Sequence, residues 1–195
     1  LPKSLWAQKK IMSVIQLNRH LKNNRDKMIE GKKCSSVTLK TRKIGKWVDI
    51  NTDDIFKGKK VILFSLPGAF TPVCSEKQLP GFEKNYDKLL SLGISEVYCI
   101  SVNDGYVMNA WADQQKLVKV KVLPDGNADF TRSMGMLVEK KHVGFGLRSW
   151  RYCAIINDGV VEKWWQEPGM NNEGSDPDPY EETTPENCIE YLTNK

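Results

Sequence analysis

Residues 67–74, "PGAFTPVC", combine residue types that could activate a thiol. The stretch follows the apolar run "VILFS", whose composition is that of a buried strand, and Pro67 ends that strand. Cys74 then falls in the first turn of the following helix, where free N–H groups and the positive end of the helix dipole favour an anion. Thr71 can turn its hydroxyl toward the same sulfur or toward an oxygen bound beside it. This spacing predicts a reactive thiolate at Cys74.

A buried thiolate needs a cation, and the segment "RSWRY" (148–152) offers one. It leads into a predicted strand, "RYCAII", along which side chains alternate between two faces. Arg151 and Cys153 should therefore face one way, and Trp150 and Tyr152 the other. Arginine keeps its charge when partly buried, and its planar guanidinium can donate to two acceptor atoms at once. Arg151 is thus the candidate partner of the thiolate.

Other interpretations of this cysteine remain open from the residues alone. A cysteine at the start of a helix after a buried strand is often a small apolar core residue. A dithiol oxidoreductase is disfavoured because the chain contains no CxxC pair. A cysteine hydrolase would need a histidine as general base, but His142 lies in "EKKHVGFG", a predicted exposed loop. Neither His142 nor His20 belongs to a Cys/His cluster with zinc-ligand spacing.

The composition is that of an ordinary globular protein with one main domain. The chain has 195 residues, of which 40% are hydrophobic and 27% charged, enough to bury a core without disulfides or metal ions. No apolar run has the length of a membrane span, and outside the first 33 residues the charge is nearly balanced, which indicates no nucleic-acid-binding face. Five widely spaced cysteines, an odd number, indicate free thiols in a reducing, intracellular compartment.

The basic side chains are concentrated in an N-terminal arm, residues 1–33, which precedes a predicted folded domain of residues 34–195. The arm contains nine Lys or Arg and only two acidic residues. Trp6, Ile11 and Ile15 with interleaved lysines could form an amphipathic helix. The arm resembles a transit peptide for a mitochondrion or plastid. The alternatives are a solvated extension of a cytoplasmic protein and an arm that binds a membrane surface or a partner.

The elements expected around the thiol alternate between strand and helix. A hairpin that turns at Gly45 precedes the buried strand 59–66, and a helix after Cys74, interrupted near Pro80, ends at Gly93. This order predicts an α/β fold of the thioredoxin type, with a mixed central sheet and helices on both faces. The further predicted elements are strand 97–102, helix 106–116, a hairpin turning at 158–159 and a C-terminal helix that begins after Thr184.

The residues of the predicted site also resemble a known family. Pro67, Thr71 and Cys74 form Pro-x-x-x-Thr-x-x-Cys, the active-site signature of the peroxiredoxins. Residues 31–195 resemble the atypical, type-five subfamily, in particular bacterial members fused to a glutaredoxin domain and protozoan one-cysteine antioxidant proteins. The resemblance implies a thiol peroxidase without a metal or organic cofactor, on a thioredoxin-like fold. The segments that carry it are "LFSLPGAFTPVCSEKQLPGF", "SVNDGYVMNAW", "LPDGNADFTRSMGM", "GFGLRSWRY" and "NDGVVEKWWQEP".

The resemblance assigns a role to each residue of the site. Cys74 would attack a peroxide oxygen as thiolate and become a sulfenic acid. Thr71 would hydrogen-bond to the sulfur or to the peroxide, and Arg151 would stabilise the thiolate and polarise the O–O bond. Three further residues would contact the substrate: Pro67 as a shield, Val73 through its backbone N–H, and Arg148, whose position solvation at the surface would explain equally well.

Regeneration of the thiol would depend on an external reductant. Some type-five members carry a second reacting cysteine in the loop before the last helix. Here that loop, residues 171–185, is predicted to be a polar, proline-rich surface loop, and it has no cysteine. A one-cysteine cycle with glutathione and glutaredoxin in trans is therefore favoured, with a Cys74–Cys188 disulfide reduced by thioredoxin as the alternative. The rival function is a redox sensor or chaperone-like binding protein that is oxidised once. The family resemblance also implies a homodimer.

Overall fold

The structure is a computed structural model that describes residues 28–172, 174 and 178–195, together with 13, 14, 16 and 17. Among these residues, no helix is long and apolar enough to cross a membrane. The amphipathic helix expected in the arm lies mostly outside the described residues, although residues 13, 14, 16 and 17 are helical. The end of the arm lies along a strand edge, because the backbone N–H of Gly31 donates to Val161 and that of Cys34 donates to Gly159.

The elements of the domain follow the predicted alternation of strand and helix. In chain order they are β1 (Thr38–Lys43), β2 (Lys46–Asn51), α1 (Thr52–Phe56), β3 (Lys60–Ser65), a π-helical turn (Cys74–Gln78), α2 (Leu79–Ser91), β4 (Glu96–Ser101), α3 (Gly105–Gln114), β5 (Lys121–Pro124), α4 (Asp129–Ser133), β6 (Leu137–Lys140), a 3₁₀ turn (Lys141–Val143), β7 (Gly146–Ser149), β8 (Tyr152–Asn157), β9 (Val160–Gln166) and α5 (Pro185–Thr193).

A mixed sheet lies at the centre of the domain, with its strands in the order β5-β4-β3-β8-β9. Strands β3, β4 and β5 run parallel, whereas β8 is antiparallel to β3 and to β9. Two antiparallel hairpins, β1–β2 and β6–β7, lie outside this sheet. The predicted mixed central sheet of a thioredoxin-like fold is confirmed.

Alternating side chains of the sheet divide the core into two hydrophobic clusters. On one face Ile62 and Phe64 pack with apolar residues of α2, α3 and α5. On the other face Val61 and Leu63 pack with residues of α1 and α4. Helices therefore cover both faces, as predicted. Four of the five cysteines, Cys74, Cys99, Cys153 and Cys188, belong to the first cluster, and Cys34 belongs to the second.

Turn residues fix the two predicted hairpins. Asp158 and Gly159 both have positive φ, 49° and 78°, as a two-residue type I′ turn requires. Ile44 and Gly45, in the turn between β1 and β2, also have positive φ, 49° and 74°. Thr184 caps α5 by accepting a hydrogen bond from Asn187 N, as its sequence predicts.

The structure also contains elements that the sequence patterns do not predict. The interruption expected near Pro80 occurs before it, as a π-helical turn closed by the bond from Leu79 N to Cys74 O. Proline has no N–H to continue the ladder of α-helical bonds at this point, which favours a wider turn ahead of it. The helices α1 and α4 and the strands β5 to β7 are only four or five residues long, too short for a clear hydrophobic period.

Candidate functional site

The loop between β3 and the π-helical turn is fixed by the neighbouring strand. Ala69 N donates to Asn103 Oδ1 over 3.0 Å, and the same oxygen accepts a bond from Ser101 Oγ at the end of β4. Phe70 adopts φ of 65°, in the left-handed region that few bulky residues enter. Phe70 is also half-exposed. The loop is thereby bent back so that the chain enters its helical turn beside the carboxyl ends of β3 and β4.

Cys74 is the first residue of the π-helical turn, and its side chain has no exposed surface. The backbone bond from Ser75 N to Thr71 O begins the turn, so Val73 and Cys74 lie where the N–H groups of a helix lack intrahelical acceptors. Trp111 of α3 donates from Nε1 to Ser75 Oγ over 3.0 Å. This bond holds the turn against a second helix, and the thiol is kept inside the core.

Arg151 lies immediately before the first residue of β8, and its side chain extends to Cys74. Its side chain is 2% exposed, and its Nη1 lies 3.5 Å from Cys74 Sγ. The side chains around it alternate as predicted, because Cys153 packs on the Cys74 side of the sheet while Trp150 and Tyr152 pack on the other. The structure thus brings together a thiol and a guanidinium that are 77 residues apart in sequence.

The charges around the sulfur differ from those around the other core thiols. Burial alone would lower the pKa of Arg151, but the Cys74 thiol and the Asp178 carboxylate outweigh burial and raise it, so Arg151 is a fixed cation. Burial raises the pKa of Cys99 and Cys153 well above the ordinary thiol value, and both are neutral. A cation within hydrogen-bonding distance is the arrangement that stabilises a buried thiolate.

The hydroxyl of Thr71 is directed at the loop rather than at the sulfur. Thr71 Oγ1 donates to Gly68 O over 2.8 Å. Since this bond uses the only hydroxyl proton, the oxygen is left to accept a hydrogen bond, for which a hydroperoxide O–H is a suitable donor. The geometry therefore favours the second of the two sequence-based expectations, contact with a bound oxygen.

Arg148 supports the loop that carries Pro67. Its Nη1 donates to Pro67 O over 3.4 Å and its Nε donates to Phe145 O over 3.1 Å. Burial lowers the pKa of this half-buried guanidinium, and the Cys74 thiol opposes that change. A Cβ atom on Gly68 would lie only 2.8 Å from Arg148 Nη1, so glycine makes room for the arginine. Arg148 is thus packed against the loop and is not simply solvated.

Several polar residues near the site were not singled out from the sequence. Gln78 Oε1 accepts a hydrogen bond from Arg151 Nη1, and Asp178 Oδ1 accepts one from Arg151 Nη2 over 2.5 Å. Gln78 follows Cys74 by four residues, so helical spacing could have placed it on the same side of the turn. Asp178 lies in an irregular segment, whose sequence carries no comparable signal.

The loop before the last helix is partly buried, which corrects the expectation of a surface loop. Thr183 has no exposed surface, and its Oγ1 accepts a hydrogen bond from Gln78 Nε2 over 3.3 Å. The buried carboxylate of Glu167 accepts hydrogen bonds from Thr183 Oγ1 and from the backbone N–H groups of residues 181–183. Because these N–H groups have acceptors inside the protein, the segment can be buried without the cost of unpaired backbone donors.

The remaining candidate residues lie apart from this arrangement. Cys188 belongs to α5, as predicted, and its Sγ lies 3.5 Å from Cys153 Sγ, with both side chains fully buried. His142 lies in the exposed 3₁₀ turn between β6 and β7, in agreement with the exposed loop predicted for it. Cys74 is therefore the cysteine that combines a helical turn with an adjacent cation.

Comparisons with known proteins agree with this geometry. The family model Redoxin matches residues 29–182. A peroxiredoxin of Rhizobium etli is 56% identical over 147 residues, 75% of this chain and 82% of that protein. The hybrid peroxiredoxin hyPrx5 of Haemophilus influenzae is 45% identical over 164 residues, 84% of this chain and 66% of that protein.

A solved structure has the same fold. The Plasmodium falciparum antioxidant protein, described as a 1-Cys peroxiredoxin, is 35% identical and superposes with a TM-score of 0.80, covering 85% of this chain and 100% of its own. The residues that the Redoxin family model matches include the loop before Cys74, the π-helical turn and Arg151. The chain therefore belongs to the Redoxin family and is a peroxiredoxin of the type-five-like group, a thiol-dependent peroxidase.

Proposed function

We propose that this peroxiredoxin reduces hydrogen peroxide and small alkyl hydroperoxides through Cys74, and that glutathione with glutaredoxin regenerates the thiol in a one-cysteine cycle. The observation that carries the proposal is the contact between Arg151 Nη1 and Cys74 Sγ, 3.5 Å apart in a buried site. A thiolate held by a fixed cation is both ionised and shielded from water, which suits attack on a neutral, polarisable O–O bond.

In the first half-reaction the Cys74 thiolate attacks one peroxide oxygen. An S–O bond forms and the O–O bond breaks, so that sulfur is oxidised to a sulfenic acid and the peroxide is reduced to an alcohol or to water. The leaving oxygen carries the negative charge and takes up a proton from solvent. Arg151 donates to the oxygens as this charge develops, and Thr71 Oγ1 accepts from the peroxide O–H and so orients it.

In the second half-reaction glutathione attacks the sulfenic acid, and water leaves as a mixed disulfide forms. A second thiol, on glutathione or on glutaredoxin, then attacks the glutathione sulfur of the mixed disulfide. A new disulfide forms with that thiol, and Cys74 is released. The electron pair thus comes from thiols, and the cycle requires no metal or prosthetic group. The H. influenzae relative, named a hybrid, and the P. falciparum relative, described as 1-Cys, support this form of the cycle.

The described cysteines also favour an external reductant. Burial raises the pKa of Cys153, and the thiolate is the form that attacks a sulfenic acid. Cys188 is buried against Cys153 in a different helix from Cys74. Because Cys188 already packs against Cys153, the thioredoxin-dependent cycle through a Cys74–Cys188 disulfide is the alternative. We further propose a homodimer in a reducing intracellular compartment, where five free cysteines are stable.

The decisive experiment compares peroxide consumption by the wild type, Cys74→Ser and Cys188→Ala with each reductant. We expect Cys74→Ser to lose all turnover. Cys188→Ala should retain at least half of the activity with glutathione plus glutaredoxin, because the side chain takes no part in a one-cysteine cycle. Alanine is chosen since serine would bury an unpaired hydroxyl. Cys153→Ala, which alters the same buried pair, is the matched control.

Three results would contradict parts of this proposal. Full activity of Cys74→Ser would remove the mechanism. Loss of thioredoxin-dependent turnover in Cys188→Ala, but not in Cys153→Ala, would establish the two-cysteine cycle instead. A single stoichiometric oxidation of Cys74 with no turnover by any of these thiols would favour the redox sensor.

A further inference from the structure

The described segment 178–183 has no part in the chemistry proposed above, and yet it contacts Arg151. The geometry points to Asp178 as a positioning residue, whose carboxylate holds the Arg151 guanidinium in the orientation that directs Nη1 at the Cys74 sulfur. This inference rests on the proposed role of Cys74 as the thiolate that attacks peroxide.

Two side chains, Gln78 and Asp178, accept hydrogen bonds from the Arg151 guanidinium and so determine its orientation. Nη1 faces Cys74 Sγ and also donates to Gln78 Oε1. Nη2 donates to Asp178 Oδ1 over 2.5 Å, and the buried Nε has no hydrogen-bond partner among the residues that the structure describes. Because the guanidinium is rigid and planar, fixing Nη2 also fixes the direction of Nη1.

Gln78 by itself would constrain the guanidinium less. Its Oε1 accepts from the same nitrogen that faces the sulfur, and its Nε2 is already engaged with Thr183. With one neutral acceptor on Nη1, the guanidinium could pivot about that bond. A second acceptor on Nη2, and a charged one, prevents the pivot and strengthens the contact.

The backbone presents the Asp178 side chain to the arginine. Asp178 has φ of 52°, in the left-handed region that aspartate and asparagine tolerate better than most residues. The Tyr180 ring centroid lies 5.9 Å from Arg151 Cζ. Further along, Thr183 is anchored by the Glu167 carboxylate. The segment that follows Asp178 is thus held next to Arg151.

A carboxylate near a thiolate would repel it, but the exposure of Asp178 limits that repulsion. Its side chain is 39% exposed, whereas that of Arg151 is 2% exposed, so water and salt screen the carboxylate more than the guanidinium. Among the described residues, two further titratable groups interact with the Cys74 thiol: Arg148, a second cation, and Cys99, which is neutral because burial raises its pKa. The gain from alignment is therefore expected to exceed the repulsion.

The test uses three variants of the full chain. Asp178→Gly removes the carboxylate and suits the positive φ, and Asp178→Asn keeps an oxygen that can accept from Nη2 but removes the charge. Glu181→Gly, an exposed position in the same segment, adds the same backbone freedom and also removes one carboxylate. The readouts are the rate constant for Cys74 oxidation by hydrogen peroxide in a single turnover, and the pH midpoint of Cys74 alkylation by iodoacetamide, followed on the Cys74 peptide.

We expect Asp178→Gly to lower the oxidation rate constant about tenfold, the effect of a misaligned donor, and to raise the pH midpoint. Asp178→Asn and Glu181→Gly should stay within about twofold of the wild type, and neither should raise the midpoint. Unchanged kinetics in Asp178→Gly would overturn the inference. A lowered pH midpoint in both Asp178 variants would also overturn it, because Asp178 would then act only by repelling the Cys74 thiolate.

Failure of the proposed function would look different from failure of this inference. If the wild type consumed no peroxide, the peroxidase cycle would be wrong, and alkylation of Cys74 would still report how Arg151 is held. If Glu181→Gly matched Asp178→Gly in both readouts, loosening of the segment would explain the effect and the positioning role would be excluded.

Discussion

At the scale of the residue, the site depends on the shape of one guanidinium as much as on its charge. Arg151 supplies Nη1 to the Cys74 sulfur and to Gln78, and Nη2 to Asp178. Lysine would bring the same charge as a single point on a flexible stem, and it could not hold these acceptors in one plane. The arginine therefore joins three chain segments around the sulfur.

We expect Arg151→Lys to lower the rate constant for Cys74 oxidation by hydrogen peroxide about 100-fold, as loss of an aligned donor to developing charge does. Stopped-flow single turnovers measure it directly. Arg148→Lys is the matched control, because Arg148 contacts the loop carbonyls of Pro67 and Phe145, and its effect should be below about tenfold. Equal rate constants for the wild type and Arg151→Lys would show that charge alone suffices.

The sequence predicts which residues come together at the candidate site better than it predicts the residues that support them. Cys74 and Thr71 are fixed relative to each other by local spacing, and the alternation around Arg151 follows from strand geometry. Asp178 could not be foreseen, because its contact with Arg151 spans 27 residues and depends on the path of an irregular segment. Local rules do not describe such a path.

At the scale of the element, a buried carboxylate holds the segment 178–183 against the site. Glu167 follows β9, and its N–H donates to Arg151 O, while its Oε1 accepts from three consecutive backbone N–H groups. Together with the bond between Gln78 and Thr183, these contacts connect the π-helical turn to the C-terminal part of the chain. The segment and the turn are thus stabilised by the same group of bonds.

Replacing Glu167 by glutamine should destabilise the protein by about 2 kcal/mol, because hydrogen bonds to an ionised acceptor are stronger and the new amide hydrogens would be buried without acceptors. Urea unfolding followed by circular dichroism measures the difference. Glu181→Gln, in the exposed part of the segment, should change the stability by less than about 0.5 kcal/mol. Equal stabilities of Glu167→Gln and the wild type would contradict this account of the carboxylate.

Elements with strong local signals were predicted, and those that depend on distant contacts were not. The turn at Asp158–Gly159 requires two residues with positive φ, and the Asp-Gly pair is typical of such turns. The π-helical turn combines a local cause, Pro80, with a distant one, the hydrogen bond from Trp111 to Ser75. Only the local cause can be recognised from the sequence.

At the scale of the whole molecule, two apolar clusters on either side of the sheet keep most titratable core groups neutral. Burial raises the pKa of Cys34 to about 12, and it raises those of Cys99, Cys153 and Tyr152 well above their ordinary values. In the unfolded chain these groups release their protons at ordinary values, 9.0 for a thiol. Above that pH the unfolded state therefore binds fewer protons than the folded state.

Stability should consequently be lost on the alkaline side. These groups should not change the free energy of unfolding below about pH 8. It should then fall by roughly 1.4 kcal/mol per pH unit for each buried thiol above about pH 9, and for Tyr152 above about pH 10. Urea titrations at several pH values measure the slope. Cys99→Ala should reduce the slope by about one group's share, whatever it does to the stability at neutral pH. An unchanged slope in Cys99→Ala would show that this thiol titrates normally in the folded protein.

The complete burial of Cys74 has a consequence for the order of events in the catalytic cycle. In the proposed cycle, a peroxide could reach this closed site through ordinary fluctuations, whereas glutathione or a protein thiol is too large to do so. Reduction of the sulfenic acid would therefore need a more open conformer of the chain than its formation does. In the proposed cycle, the time that the π-helical turn takes to open would decide whether the sulfenic acid first meets a thiol or a second peroxide, which would oxidise it irreversibly. The bonds that hold this turn, among them that from Trp111 to Ser75, would thereby set the peroxide concentration at which the enzyme inactivates itself.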